Sequence, residues 1–414
     1  MNQTELTPKR ERMLLWLLAF TQFTVIMDFM VMMPLAPQLM RAFHVDPAAI
    51  SGAVSVYAWC AGLSGLFAAT YIDRFSRKAL MLTMFCLFTL SNLGCALAPT
   101  FDALLVARAF AGLTGGVLSS ITMAIIADVI PPQRRGAAAG IVMTSFGMAA
   151  VAGVPAGVLL GAHYNWSAPF LLLVGLSAVI WCGAAVIMPR LDAHLAAVPR
   201  RLADIVPDLL GLFKVPRQRD AFLLSGTNML GGMMVIPFIA PALVGNLGVQ
   251  PADMSWIYLA GGAATLATSR WLGRLADRIG PLRMFRAAAL WSMVPALLLT
   301  HLVPVPMAAI VVCFVLFMTS MAGRNIPMQA LLTTIPAPSQ RGAFLSVNSA
   351  LQSLGTGLGA WIGGQFLTSD NAGHIAHYGT NGLVAAGLAL FATFWALRLR
   401  TPHVAVEAPL KPVA

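Results

Sequence analysis

Asp28 is the acidic side chain placed deepest in apolar surroundings, within Met27-Asp28-Phe29-Met30-Val31-Met32-Met33-Pro34. A charge held deep in hydrocarbon costs ~2.5–3.5 kcal/mol on insertion scales, so a residue kept there has a task. A carboxylate denied water is suited to taking up and releasing protons. Two cations stand in similar surroundings. Arg108 precedes Gly112, and Arg324 lies in Gly323-Arg324-Asn325-Ile326-Pro327. Arg108 can pair with Asp28, and competition of a proton, Arg108 and a cationic substrate for one carboxylate is a workable coupling device. The plainer alternative is a static ion pair that packs helices. Gly323 and Pro327 loosen the backbone around Arg324. There an arginine can hold an anionic group, neutralise Asp28 across a cavity, or snorkel to the surface.

The elements that position these residues are long apolar runs. Of 414 residues, 58% are hydrophobic and 10% charged, with mean hydropathy +0.80. A soluble domain carries ~25% charged residues, so soluble, extracellular, disordered and coiled-coil classes are excluded. A spanning helix needs ~20 mostly apolar residues. Twelve runs meet that length: 13–36, 52–72, 79–98, 103–127, 137–161, 168–188, 221–244, 254–274, 286–303, 306–331, 343–367 and 380–398. None alternates with period two, which disfavours a β-barrel. The expected fold is an all-α membrane protein of twelve transmembrane helices in two six-helix bundles.

The net charge of +11 belongs to topology. Of the 26 Lys and Arg, 23 fall on one side of these spans, and the exceptions are Arg41, Arg108 and Arg324. The positive-inside rule makes that side the cytoplasm and puts both termini there. A nucleic-acid partner is not expected; the bilayer is. The first apolar run is too long for a cleavable signal peptide. Cys60, Cys86, Cys95, Cys182 and Cys313 all lie in spans, so they read as buried thiols, with no disulfide framework and no metal site. On the depths of their spans, Asp28 and Arg108 lie at similar levels, ~12 and ~8 Å below the outer surface.

A weak repeat divides the chain. Asp73-Arg74 follows the second span and Asp277-Arg278 the eighth; Arg135-Gly136 opens the fifth and Arg341-Gly342 the eleventh. Two landmarks at nearly one offset indicate duplicated halves, a feature of secondary transporters. The expected organisation is a bundle over 1–188, a cytoplasmic linker over 189–220 and a second bundle over 221–414. Within the linker, Leu202, Ile205, Leu209 and Phe213 recur at helical spacing, which predicts an amphipathic helix on the membrane face, or else a plain linker.

The loop Ala69-Thr70-Tyr71-Ile72-Asp73-Arg74-Phe75-Ser76-Arg77-Lys78 and its second copy Gly273-Arg274-Leu275-Ala276-Asp277-Arg278-Ile279-Gly280 resemble the cytoplasmic signature of the major facilitator superfamily. The likeness covers essentially the whole chain. The run around Asp28 looks like the first-helix signature of its drug/proton antiporter branches, and Arg108 with Gly112 resembles the signature associated there with proton transfer. Gly153-Val154-Pro155-Ala156-Gly157 is similar to the arabinose-efflux-permease-like subgroup, which includes sugar and drug exporters. The resemblance implies that Asp73 meets the start of span eleven and Asp277 the start of span five. Asp73, Arg74, Arg77, Asp277 and Arg278 would then gate the inner side.

Gln22, Asn228, Asn348 and Gln352 are further candidates for lining a proton or substrate path, alongside Asp28, Arg108 and Arg324. Gly153, Pro155 and Gly157 read as close helix packing that can also slide. The glycine-rich phosphate loop of ATP-driven machines is absent from the sequence. The reading is a non-enzymatic secondary transporter without cofactor, monomeric, in a bacterial inner membrane. It exports a small amphiphilic or sugar-like compound against protons. A facilitator or proton symporter is the nearest alternative, and a non-transporting membrane sensor an alternative of another class.

Overall fold

The computed structural model describes residues 7–131, 134–189, 191, 192, 195, 207, 209–337, 340–370 and 373–399. Twelve long helical segments run through them. The first half contains α1 (Pro8–Phe43), α2 (Pro47–Tyr71), α3 (Arg77–Ala96), α4 (Phe101–Val129), α5 (Arg135–His163) and α6 (Ala168–Ile187). The second contains α7 (Pro216–Leu247), α8 (Met254–Ile279), α9 (Pro281–Thr300), α10 (Met307–Thr334), α11 (Arg341–Gln365) and α12 (Tyr378–Trp395). Ten are long and apolar enough on their own to cross a membrane. The exceptions are α8, which carries Arg270, Arg274, Asp277 and Arg278, and α11, rich in Gly and Ser. These two are held by the helices around them.

Two helices are interrupted. In α5 a π-helical turn, Ala149–Gly153, precedes Pro155. The proline has no N–H to donate, and a π-turn absorbs the missing bond. In α7 the α-helix stops at Met233, a 3-10 turn spans Ile236–Phe238, and the helix resumes at Ile239. Between α11 and α12 a two-residue hairpin, Thr368–Ser369 with Ile375–Ala376, is the one sheet among the described residues. Asn246 ties it down, donating to the Ile375 carbonyl at 2.8 Å and accepting from the Ile375 N–H at 2.7 Å.

Glycine sets the closest helix contacts, and it does so twice on one plan. In α5, Gly153, Gly157 and Gly161 lie against Met27, Val31 and Leu35 of α1. In α11, Gly355, Gly359 and Gly363 lie against Gly226, Leu230 and Met234 of α7. Both ladders step by four residues, one helical turn, so a single glycine face runs the length of each crossing. The internal repeat read from the loops therefore extends into the packing.

The cores show how the halves meet. At the end that carries the Arg-rich loops each half keeps a core of its own. One cluster there, around Phe85, Phe88, Ile121 and Val142, comes wholly from the first half. Another, around Phe222, Phe285, Leu332 and Phe344, comes from the second half, joined only by Leu66. At the opposite end they merge: Val154, Val158, Met30 and Met40 pack with Val235, Ile239, Leu243 and Ile257. Ser55 donates to the Gly357 carbonyl at 2.8 Å, and Ser369 to Asp46 at 3.3 Å, across the same seam. The apolar cores thus merge at this far end and stay distinct at the Arg-rich end, where α2 still packs on α11 through Gly62 and Leu66.

Of the expected linker helix, Leu202 and Ile205 lie outside the described residues. The described part ends in a 3-10 turn, Leu212–Lys214. Leu212 is buried with Phe344 in the second-half core, Leu209 packs on it, and Phe213 stacks near Phe222. This part of the segment thus serves as a plug under α7.

Candidate functional site

Asp28 and Arg108 meet inside the first bundle. Arg108 Nη1 is 2.6 Å from Asp28 Oδ1 and 3.3 Å from the Asp28 carbonyl, and both side chains are fully shielded from solvent. Tyr57 of α2 completes the group. Its ring lies under the Arg108 guanidinium, 4.3 Å from ring centroid to Cζ, and its hydroxyl donates to the Val25 carbonyl at 3.3 Å. A desolvated contact of this kind contributes about 2 kcal/mol. Gly112 allows it: a Cβ there would strike the Tyr57 backbone, so only glycine lets α2 approach α4 at this level. Arg108 Nε and Nη2 and Asp28 Oδ2 have no hydrogen-bond partner among the described residues.

The methionines around Asp28 are packing groups. Met27, Met32 and Met33 are buried, and Met27 fills the space over Gly153. Met30 and Met40 reach across the seam into the second half's core.

Arg324 is held elsewhere. It donates to Asn228 Oδ1 through Nε at 2.9 Å and Nη2 at 2.6 Å, and to Ser292 Oγ through Nη1 at 3.3 Å. Asn228 in turn donates to Asn325 Oδ1 at 2.9 Å. Arg324 and Asn228 are each 4% exposed. In this state they are sealed within the second bundle, and Arg324 neither pairs with Asp28 nor snorkels to the surface.

Each half also holds a polar link of its own. Gln22 of α1 donates to Ser119 of α4 at 3.2 Å, and Gln352 of α11 to Ser225 of α7 at 2.8 Å. Asn348 is buried, and its Oδ1 has no partner among the described residues.

The loop signature is knit within its own half. Arg77 donates to Asp73 at 2.6 Å, to Asp128 at 2.8 Å and to the Ile72 carbonyl at 2.8 Å. Asp73 and Arg74 are exposed. The expected contact of Asp73 with the start of α11 is not made among the described residues. Asp277 and Arg278 are exposed and form no ion pair there, with α5 or elsewhere.

Tyr57, Ser292, Asn325 and Asp128 escaped the sequence reading. Asp128 had a signal, as an acid closing α4 beside the Arg-rich loop. Tyr57 and Ser292 had none, since each is an ordinary residue of an apolar run.

A family model described as Major Facilitator Superfamily matches residues 18–219 and 221–412. The MFS-type transporter YfhI of Bacillus subtilis (strain 168), described as uncharacterized, is 26% identical over 397 residues, covering 92% of this chain and 93% of its own length. A probable sugar efflux transporter of Helicobacter acinonychis (strain Sheeba) is 25% identical over 361 residues, with 87% and 88% covered. Among solved structures, a D-xylose-proton symporter aligns with TM-score 0.78 at 15% identity, over 94% of this chain and 98% of that one. A bacterial homolog of the lysosomal transporter Spinster, inward-facing and occupied, aligns with TM-score 0.76 at 16% identity, over 95% and 97%.

Proposed function

The chain belongs to the major facilitator superfamily of membrane transporters, and we propose that it exports a small amphiphilic or sugar-like compound in exchange for protons. The single observation that carries the coupling is the shielded Asp28–Arg108 pair under Tyr57. Protonation of Asp28 removes the charge that holds Arg108 Nη1. The freed guanidinium then shifts against Tyr57, and α1 shifts against α4. Because α1 also lies on the glycine ladder of α5, that shift reaches the seam with the second half. The likeness to sugar efflux transporters supports the substrate class and the outward direction.

With the Arg-rich end cytoplasmic by the positive-inside rule, both termini are cytoplasmic and the described state opens inward. The protein is then a monomeric inner-membrane carrier of two bundles, 1–188 and 221–414, joined by 189–220. Gln22, Asn348 and Gln352 supply polar contacts along the path. Asp73, Arg74, Arg77, Asp277 and Arg278 close the inner side when the halves approach. Gly153, Pro155 and Gly157 give the crossing along which α5 slides.

The test is flux in proteoliposomes over a panel of sugars and amphiphiles, with and without a pH gradient. Asp28→Asn is expected to abolish gradient-driven transport and retain substrate exchange. Coupling unchanged in Asp28→Asn would overturn the assignment. Transport indifferent to pH in the unmodified protein would make it a facilitator.

A further inference from the structure

We propose that a groove at the Arg-rich end of α1 holds one anionic phospholipid from the adjoining leaflet. The groove has a volume of ≈ 490 Å³ and is lined by Lys9, Arg12, Met13, Trp16 and Phe20 of α1 and by Ile187, the last residue of α6. All six are exposed. The five on α1 follow one another at three or four residues, so they form a single stripe along the helix. Cations stand at one end of the stripe and aromatic rings at the other, with the Trp16 and Phe20 centroids 6.1 Å apart.

The charge of this stripe is all of one sign. The acid in the first turn of α1, Glu11, is two residues from both Lys9 and Met13 and so faces away from them. Arg134, just before α5, takes it there at 2.5 Å. Lys9 and Arg12 make no ion pair with a described residue. Two uncompensated cations call for an anion, and the shape of the groove says which kind. Lys9 and Arg12 precede the apolar run that begins at Met13, which is headgroup level, and Trp16 follows where tryptophan favours the membrane interface. From Pro8 to Phe20 the stripe spans ~18 Å at ~1.5 Å per residue. A free phosphate would use only its basic end. A phospholipid uses all of it, with the phosphate at Lys9 and Arg12 and an acyl chain along Trp16 and Phe20. Basic side chains flanking a span recognise acidic lipids in this way. A second copy of the chain offering the same stripe would set these cations against their own like charges.

The experiment uses the full-length protein in detergent, titrated with phosphatidylglycerol or phosphatidylcholine and read by native mass spectrometry. One phosphatidylglycerol is expected to bind about 25-fold more tightly than phosphatidylcholine, each cation contributing about 5-fold. Lys9→Gln and Arg12→Gln should each lose their share, and Lys9→Arg with Arg12→Lys should keep the preference. Trp16→Ala with Phe20→Ala should weaken both lipids and leave the preference between them. These side chains are exposed, so the variants are expected to fold. Glycerol 3-phosphate, a phosphate without acyl chains, should not compete. Equal binding of the two lipids, an undiminished preference in the Lys9→Gln/Arg12→Gln double variant, or lipid affinity unmoved by Trp16→Ala with Phe20→Ala would each overturn the proposal. Competition by glycerol 3-phosphate would make the groove a phosphate site and overturn it too. So would a lipid-free dimer lost in Trp16→Ala, which would give the groove to a second copy.

Discussion

Arg108 Nη1 approaches Asp28 Oδ1 to 2.6 Å in a part of the first bundle from which solvent is excluded. Removing one partner of such a pair strands a charge and costs ~3–5 kcal/mol, whereas removing both can be nearly neutral. Asp28→Asn and Arg108→Gln are therefore each expected to melt well below the unmodified protein, and the double variant to recover most of the loss. Thermal unfolding of all four forms closes the cycle. Strictly additive losses would show that the two residues do not act as a pair.

Arg77 binds Asp73, Asp128 and the Ile72 carbonyl at once while its own side chain is 4% exposed. Arg77→Ala is expected to destabilise by ~2–3 kcal/mol, as lost charge-assisted hydrogen bonds do. Asp128, with 32% side-chain exposure, should matter more than Asp73 with 61%, since solvent screens the outer partner. Melting of Asp128→Asn against Asp73→Asn checks the order.

The two glycine ladders are not equally tolerant. A Cβ at Gly157 meets a methyl of the Val31 side chain, but a Cβ at Gly359 meets the Leu230 backbone, which yields less. Overpacking costs ~1–3 kcal/mol, so Gly359→Ala should fall at the upper end and Gly157→Ala at the lower. Gly140→Ala, where nothing lies within 4 Å, should be neutral or gain up to ~1 kcal/mol from helix propensity. Expression and Tm of the three variants decide it.

Closure of the far end can be trapped. In a background without the five native cysteines, Asp46→Cys with Ser369→Cys places two thiols where the side chains now lie 3.3 Å apart. Oxidation is expected to stop flux and reductant to restore it. Flux that survives complete cross-linking would mean that this seam does not open during transport.

Much of the architecture is legible in the sequence because lipid leaves so few solutions. Apolar run length, basic loops and the paired Asp-Arg landmarks fix twelve helices in two halves. Helical rise puts Asp28 and Arg108 at similar depths, and the resemblance to a known fold makes α1 and α4 neighbours, so their approach could be expected. The breaks in α5 and α7, by contrast, arise from local compromise around Pro155 and Pro237, and no periodicity announces where the chain yields. The partners of Arg324 were also out of reach. Ser292 and Asn228 are 32 and 96 residues from Arg324, in helices whose facing is set by packing, and their polarity alone does not say what they touch. Asp73 and Asp277 mark a third limit. A sequence suggests which carboxylates could form a latch, but not what they touch in a given state.

The seam around Met30, Val158, Ile239 and Ile257 is carbon against carbon, while the opposite end presents Asp73, Arg74, Asp277 and Arg278 to water. If the two ends act as the proposed gates, they answer to different physical variables. Release of water from apolar surface is driven by entropy near room temperature and weakens on cooling, so cold favours opening of the far gate. Attraction among exposed charges is screened within a Debye length, ~10 Å at 0.1 M salt, so ionic strength acts on the other. Temperature and salt become separate handles on one conformational cycle.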